Sequence, residues 1–219
     1  MISVVIPTLN SERLLPRCFD SLITAAVHGV VRDVIVCDAG STDATLAIAD
    51  AAGAHIVHAR KGRGLQLAQG LAAAKSDWLL FLHPETALEP GWEAEAESFI
   101  SQAVMERPRA AVFRFALEDF GGKARRAELK ARLRTALFAL PYGDQGLLIP
   151  KRLYQKIGGY RALADMEDAD MVRRIGRRRL VSLRARAVNA ARPPKSAWRG
   201  LALLLLHALR VPSGVLARL

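Results

Sequence analysis

The chain has 219 residues, 51% of them hydrophobic, so it can bury a full core and is not a disordered polypeptide. Its longest uncharged apolar run in the C-terminal region, residues 201–209, is about half of the roughly 20 residues that span a bilayer. The net charge of +11 is uneven, because residues 1–120 carry 10 basic and 15 acidic residues and residues 121–219 carry 22 basic and 6 acidic ones. The second part must therefore meet an anionic partner or solvent.

Two apolar runs open the chain, and each ends abruptly in polar or small residues. The first covers residues 2–6 and is followed by Pro7-Thr8-Leu9-Asn10, and the second leads into a polar stretch at residues 38–43. Buried parallel strands look like this when they deliver ligand-binding loops at their carboxyl ends. A helix between them, with Ser11 as its predicted N-cap, completes a βαβ unit. We therefore expect a nucleotide-like ligand at residues 7–10 and 38–43.

Strands and helices continue to alternate along the chain. Up to residue 90 the pattern predicts a helix at 43–52, a strand at 54–57, a helix at 62–74 and a strand at 77–82. Such alternation specifies a three-layer α/β/α sandwich with a mostly parallel sheet. The elements predicted next are an acidic helix at 91–105, a strand at 110–117, a basic amphipathic helix at 123–140, a strand at 146–150, a helix at 151–157, a strand at 179–188 and an apolar helix after Pro193-Pro194.

The chain shows neither an internal repeat nor a low-complexity linker, so we predict one domain over residues 1–219. Its parts are a first half at 1–90, a second half at 91–190 and a C-terminal helix at 191–219. Cys18 and Cys37 have no metal-ligand spacing, which predicts buried thiols in a reducing compartment. The N-terminus lacks the basic region and cleavage site of a signal peptide. A cytoplasmic location follows, with the inner face of a membrane as an open alternative.

Seven motifs occur in one order along residues 2–178. They are Val4-Val5-Ile6-Pro7-Thr8-Leu9-Asn10, Asp38-Ala39-Gly40-Ser41-Thr42-Asp43, Gly62-Arg63-Gly64 with Gln66, Leu82-His83-Pro84-Glu85-Thr86, Tyr142-Gly143-Asp144-Gln145-Gly146, Gly158-Gly159-Tyr160 and Met166-Glu167-Asp168. In this order they resemble the family 2 glycosyltransferases of the GT-A fold. The resemblance implies that residues 1–90 bind a nucleotide sugar and that residues 91–190 bind the acceptor.

The donor site implied by the resemblance lies on the loops after the first strands. There Asp38 would accept hydrogen bonds from the nucleobase, since one carboxylate can accept two donors. Asp43 either contacts the nucleotide or caps the second helix. Arg63 would contact the phosphate or base, with a solvated loop arginine as the alternative. The candidate substrate-binding residues are Pro7, Thr8, Asn10, Glu12, Asp38, Gly40, Ser41, Arg63, Gln66, His83 and Asp144.

The metal motif departs from the family's pattern. The family places Asp-x-Asp where this chain has His83-Pro84-Glu85, and its last aspartate binds the Mn²⁺ or Mg²⁺ that holds the diphosphate. Glu85 is still a hard oxygen ligand, so it is the candidate metal ligand. His83 faces the diphosphate or packs under the loop. Because the motif is altered, the dependence on a divalent cation stays open.

The pair Glu167-Asp168 resembles the acidic pair on the family's acceptor side. The implied reaction is an inverting transfer in which Asp168 removes the proton of the acceptor hydroxyl and Glu167 orients it or binds the acceptor. Alternatively these acids only decorate the first turn of a helix, and both interpretations can hold together. Asp144 either positions the acceptor or stabilises its loop.

Partners follow from the same resemblance and from the charge. The donor is expected to be a UDP-sugar carrying a hexose, with GDP or dTDP as alternatives, and the acceptor is unknown. A lipid-linked acceptor at a membrane surface would explain the basic half with Trp198 and residues 201–206, whereas burial of that helix or an oligomer interface would explain it equally. Few aromatic residues interleave the basic half, so no nucleic-acid partner is expected. The alternative function is a catalytically inactive relative that binds a nucleotide or an anionic membrane partner.

Overall fold

The computed structural model of the chain describes residues 1–105, 108–118, 143–163 and 166–190. Eight strands in these ranges form one sheet with the order β3-β2-β1-β4-β7-β6-β8-β5. The strands are β1 (Ile2–Thr8), β2 (Val31–Asp38), β3 (His55–His58), β4 (Trp78–Phe81), β5 (Thr86–Leu88), β6 (Ala110–Leu117), β7 (Leu147–Pro150) and β8 (Leu180–Asn189). Strands from both predicted halves therefore share the sheet.

The strands β3, β2, β1 and β4 form a parallel half-sheet around a fully buried β1. In its register Val4 pairs with Val34 of β2 and with Leu80 of β4. Because these strands run the same way, the loops that follow β1, β2 and β4 emerge at one edge of the sheet. We call this side the carboxyl edge, and the opposite side, where these strands begin, the amino edge.

The other half of the sheet is mixed. Strand β7 is antiparallel to β4 and β6, β8 is parallel to β6, and β5 is antiparallel to β8. Four of the seven pairings are parallel, so the predicted mostly parallel sheet is confirmed. The three-residue β5 was missed in the sequence because so short a run carries no periodicity.

Helices cover both faces of the sheet, which confirms the predicted three layers. Alternate residues of β1 point to opposite faces, so Val4 and Ile6 join one core cluster and Val5 joins the other. The helices are α1 (Leu15–Val27), α2 (Thr45–Ala51), α3 (Arg63–Gly70), α4 (Trp92–Met105), α5 (Lys151–Lys156) and α6 (Glu167–Ile175). The first cluster contains side chains of α1, α2 and α4, and the second contains side chains of α3, α5 and α6.

The predicted start of the first helix is wrong by three residues, since the N-cap is Leu14 and not Ser11. Helix α1 begins at Leu15, and the carbonyl oxygen of Ser11, rather than its hydroxyl, accepts hydrogen bonds from the backbone N–H groups of Leu14 and Leu15. Pro16 consequently lies in the first turn, where its missing N–H removes no helical bond. Cys18 and Cys37 are both buried free thiols, as predicted.

One predicted helix is longer than the observed one, and two others lie outside the described residues. Helix α3 ends at Gly70, not at residue 74. Gly70 packs closely against β1, since a Cβ there would lie 2.5 Å from Cγ1 of Val5. The predicted helices at 123–140 and after residue 193 lie outside the described residues. Within the described ranges, none of the helices combines the length and apolar character needed to cross a membrane.

Candidate active site

The loops after β1 and β2 are tied to each other at the carboxyl edge. Asn10, with a left-handed φ of 50°, donates its backbone N–H to Oγ of Ser41 at 2.8 Å. Glu12 donates its N–H to Asp43, and its own carboxylate accepts the N–H of Ala44, both at 3.1 Å. These bonds bring together predicted residues that are about 30 positions apart. The carboxylate of Asp43 also accepts the N–H of Thr45, the first residue of α2, which supports its capping role.

Asp38 holds this pair of loops in place. Its side chain is buried, and it accepts hydrogen bonds from the Thr8 hydroxyl, the Gly40 N–H, and both the N–H and hydroxyl of Ser41. Burial raises the pKa of Asp38. The hydrogen bonds together lower it by more than burial raises it, so the net pKa lies below its usual value. The four bonds occupy the acceptor positions of the ionised carboxylate. The structure therefore gives Asp38 a loop-holding role, and its contact with a nucleobase stays a prediction.

Three other predicted contact residues support the site from beneath. Pro7 and Thr8 are buried within β1. The Nε2 of Gln66 donates to the carbonyl oxygens of Thr8 and Cys37, both at 2.8 Å. Both amide protons of Gln66 thus fasten α3 to the ends of β1 and β2. The Thr8 hydroxyl donates to the Asp38 carboxylate, so Thr8 and Gln66 both support the loops, and direct contact of Pro7, Thr8 and Gln66 with substrate stays a prediction.

The start of α3 lies directly against the start of α6. Arg63 begins α3, and its Nη1 lies 3.3 Å from Oε1 of Glu167, with the arginine 40% exposed and the glutamate 3% exposed. Next to it, a Cβ on Gly64 would lie 2.1 Å from the carbonyl oxygen of Arg161, so only glycine fits. The Arg63 side chain thus reaches solvent on one side while its ion pair holds the buried Glu167.

Asp168 is the most strongly perturbed carboxylate of the site. It lies in the first turn of α6, where Oδ1 accepts a hydrogen bond from the Tyr160 hydroxyl at 3.0 Å. Burial, as the largest cause, and the charge of Glu167 raise the pKa of Asp168, while Arg63 and the Tyr160 bond lower it. The net pKa is about 7. A buried carboxylate that titrates near neutral pH suits a general base. The helix-start interpretation is also correct, since Glu167 and Asp168 open α6.

His83 lies between two carboxylates. Its Nδ1 is 3.8 Å from Oε1 of Glu85, its Nε2 is 3.7 Å from Oδ2 of Asp168, and all three residues are buried. Among the described residues, one group of three side chains, His83, Glu167 and Asp168, offers metal-ligand atoms that all lie within 4.8 Å of one another. Glu85, the predicted metal ligand, is outside that group and lies beside Nδ1 of His83.

Tyr160 is a site residue that the sequence reasoning missed, although it stood in a quoted motif. Besides its bond to Asp168, its N–H donates to the Tyr154 hydroxyl at 2.9 Å. The motif Gly158-Gly159-Tyr160 eight residues before the acidic pair was the available signal. Asp144 belongs to the same surroundings, because its charge raises the pKa of Asp168 and its carbonyl oxygen accepts a bond from Asn189 at 2.6 Å.

Residues 3–114, half of the chain, match the family model described as glycosyl transferase family 2. The chain belongs to glycosyl transferase family 2. Among its curated relatives, glucosyl-3-phosphoglycerate synthase of Mycobacterium tuberculosis is 40% identical over 90 residues, which cover 37% of this chain and 28% of the relative. A PGL/p-HBAD biosynthesis glycosyltransferase of Mycobacterium bovis is 34% identical over 110 residues, 47% of this chain and 42% of that protein. The matched stretch thus spans less than half of either relative.

Solved structures show the same GT-A fold as this family 2 chain. Glucosyl-3-phosphoglycerate synthase from Mycobacterium tuberculosis, in complex with Mn²⁺, uridine diphosphate and phosphoglyceric acid, aligns with a TM-score of 0.64 at 23% identity, over 97% of this chain and 79% of that one. S. aureus TarS aligns with a TM-score of 0.62 at 16% identity, over 94% of this chain and 65% of that one. At these identities the likeness establishes the fold alone.

Proposed function

We propose that this family 2 chain transfers a sugar from a nucleoside diphosphate sugar, a UDP-sugar above all, to an acceptor hydroxyl with inversion at the anomeric carbon. The observation that carries the proposal is Asp168, a buried carboxylate held by Tyr160 beside His83 at the carboxyl edge. Its pKa near 7 adds to that geometry. The loops after β1, β2 and β4 converge on the same edge, so a donor bound there lies next to the base.

The donor would lie on the joined loops. Asn10, Gly40 and Ser41 retain exposed surface there, and the positive φ of Gly40 (91°) comes with open space where a Cβ would point. Arg63 would approach the diphosphate from the start of α3 with the part of its guanidinium that solvent reaches. The choice of UDP is supported by the structurally similar glucosyl-3-phosphoglycerate synthase, whose structures hold uridine diphosphate and UDP-glucose.

The proton and the electron pairs then move as follows. One oxygen of Asp168 takes the proton of the acceptor hydroxyl while the acceptor's hydroxyl oxygen forms a bond to the anomeric carbon. The bond from the anomeric carbon to the diphosphate oxygen breaks, and its electron pair leaves with the nucleoside diphosphate. Because attack and departure occur on opposite faces of the sugar, the configuration inverts. Tyr160 holds Oδ1 of Asp168 and so fixes the direction of Oδ2.

A divalent cation fits the donor set next to the base. Oε1 of Glu85 and Nδ1 of His83 are 3.8 Å apart, and two metal bonds of about 2.1 Å each can span that separation. Carboxylate oxygen and imidazole nitrogen are ligands that Mn²⁺ accepts, and the neighbouring synthase is seen with Mn²⁺. Such a cation would neutralise charge on the leaving diphosphate. We assign Glu85 to the cation and Asp168 to the proton, since a metal-bound carboxylate is a poor base.

The acceptor is assigned only as a hydroxyl compound. The neighbouring synthase is seen with phosphoglyceric acid, which makes 3-phosphoglycerate a rational first acceptor to assay. A lipid-linked acceptor and contact with a membrane depend on residues 191–219, which lie outside the described residues, and they stay predictions. The arrangement of residues 1–219 as one domain is likewise our proposal.

The deciding experiment combines turnover and donor binding in one variant. The parent protein is assayed for UDP release from UDP-glucose with Mn²⁺, with and without 3-phosphoglycerate, and a melting-temperature panel covers UDP, GDP, dTDP and their sugars. We expect Asp168→Asn to lower turnover by about 10²–10⁴-fold while the donor-induced rise in melting temperature is kept. Asp20→Asn, at an exposed position of α1, is the matched control and should behave like the parent.

Two results would contradict the proposal. If the parent binds UDP but shows neither transfer nor hydrolysis with any donor in the panel, the chain is the inactive relative. If Asp168→Asn retains full turnover, another group is the base, and the assignment of Asp168 is wrong even though the donor site stands.

A further inference from the structure

A cavity of about 610 Å³ lies at the amino edge, on the far side of the sheet from the candidate active site. It is formed where β2 and β4 begin and where β7 ends, and Trp78 contributes part of its wall. This volume is within the range of small-molecule sites. None of the proposed catalytic or donor-binding residues lines it, so its ligand would be independent of the transfer reaction.

The charge of the cavity is strongly positive. Arg32, Lys75 and Arg152 line it with exposed side chains, against the single carboxylate of Asp77. Within the described part of the chain, none of these three cations forms an ion pair. Three cations against one carboxylate leave the concavity with a net positive charge, which a bound anion would offset.

The wall that carries Lys75 is held rigidly. The carboxylate of Asp33 accepts the Ser3 hydroxyl at 2.7 Å and the Lys75 N–H at 3.3 Å, and Ser3 accepts the N–H of Ser76 at 2.9 Å. From the other side, Nζ of Lys151 donates to the carbonyl oxygen of Ala74 at 2.9 Å. The Asp33 carboxylate is thereby bound to the Lys75 backbone N–H and to the Ser3 hydroxyl. These bonds hold residues 74–76 in place and so preorganise this wall of the cavity for binding.

Ser76 is the second sign of a ligand. It lines the cavity and is 4% exposed, and its hydroxyl is buried with no hydrogen-bond partner in the described part of the protein. A buried hydroxyl without a partner is unfavourable, so such groups are uncommon in folded proteins. An anion bound in the cavity that Ser76 lines would offer this hydroxyl an acceptor.

From these observations we propose that the amino-edge cavity binds an anion that carries a phosphate group, through Arg32, Lys75 and Arg152 and with the Ser76 hydroxyl as a neutral donor. Guanidinium groups pair with two phosphate oxygens at once, which favours phosphate over a simple halide. The phosphate group can belong to a soluble metabolite or to the headgroup of a lipid, and both present the same oxygens.

The test measures binding of inorganic pyrophosphate by calorimetry, and in parallel sedimentation with vesicles of phosphatidylcholine containing phosphatidic acid. We expect Arg32→Gln and Arg152→Gln each to weaken binding about tenfold. Ser76→Ala should also weaken binding while leaving the melting temperature equal to or above that of the parent, because it removes an unsatisfied polar group. Arg114→Gln and Arg184→Gln, at exposed arginines of β6 and β8, are the matched controls and should retain this binding.

The two arms separate the sources of the phosphate. Pyrophosphate binding that needs Arg32 and Arg152 supports a soluble ligand, and vesicle binding with the same requirement supports a lipid headgroup. The proposal is overturned if neither probe binds, or if the Arg32, Arg152 and Ser76 variants bind as tightly as the two controls. In either case the proposed transferase function is unaffected.

Discussion

The two edges of the sheet concentrate charge in opposite ways. At the carboxyl edge Glu85, Glu167 and Asp168 are buried around His83, and burial together with the charge of Glu167 raises the pKa of Asp168. At the amino edge Arg32, Lys75 and Arg152 are exposed and form no ion pairs with described residues. Burial shifts a pKa and creates a reactive group, whereas exposure keeps a cation charged and suited to binding. One sheet thus separates the proposed chemistry from the proposed anion site.

After the loss of turnover expected for Asp168→Asn, the next prediction tests the division of labour at the carboxyl edge. Glu85→Gln should lower Mn²⁺ affinity and Mn²⁺-dependent turnover by about 10–100-fold, because it removes a charged ligand, while Asp168→Asn should leave Mn²⁺ affinity nearly unchanged. Calorimetric titration of Mn²⁺ into both variants measures this directly. If Asp168→Asn loses the metal and Glu85→Gln does not, the cation is bound by the group of His83, Glu167 and Asp168 instead.

A second prediction concerns the contact that brings α6 to α3. Gly64→Ala should destabilise the fold by about 1–3 kcal/mol and impair turnover, because the new Cβ would meet the backbone oxygen of Arg161 and push Glu167 away from Arg63. Denaturant unfolding and turnover measure the two consequences. Ala47→Ser, at an exposed position of α2, is the control. An undisturbed melting temperature in Gly64→Ala would mean that the two helix starts can separate freely.

Burial of Asp168 should also be visible as a stability penalty at alkaline pH. The folded-state pKa of about 7 lies above the value of 3.8 for a free carboxyl, so the folded state keeps its proton where the unfolded state loses it. Stability from this group is fully present below about pH 4 and falls until about pH 7. Asp168→Asn should therefore be more stable than the parent at pH 8 by up to about 4 kcal/mol, and by much less at pH 5.

This measurement uses thermal melts in a chelator, so that no cation contributes to stability. Asp50→Asn, an exposed acid of α2, should show no such pH-dependent gain. An equal effect of Asp168→Asn at pH 5 and pH 8 would mean that the carboxylate is solvated in solution and does not have the raised pKa.

The smallest expected effect is that of Tyr160→Phe. The Tyr160 hydroxyl bond lowers the pKa of Asp168, so its loss should move the acid limb of the pH–rate profile to higher pH and reduce turnover several-fold at pH 6. Turnover above pH 8 should approach that of the parent, because Asp168 is ionised there in both proteins. A uniform loss at all pH values would indicate a purely structural role for Tyr160.

Much of the parallel half-sheet was predictable because its signals are local. The apolar runs that became β1, β2 and β4 each end at the residues that line the carboxyl edge, and β6 was predicted with its observed bounds. The start of the first helix was predicted less well. Ser11 has the side chain of an N-cap, but its N–H is taken by the Thr45 hydroxyl and its carbonyl by the turn before α1, so tertiary bonds replaced the local rule.

The sequence by itself determined the order of strands and helices, the family motifs and the position of the acidic pair at a helix start, because each depends on neighbouring residues. Only the tertiary structure decided that Asp38 accepts a hydrogen bond from the Thr8 hydroxyl and that Gln66 donates to the Thr8 carbonyl oxygen. It alone also placed His83 between Glu85 and Asp168. Those contacts join residues up to 85 positions apart, counted from His83 to Asp168. The pKa of about 7 for Asp168 likewise arises from burial first and then from the charges of Glu167 and Asp144, and no local pattern records that burial.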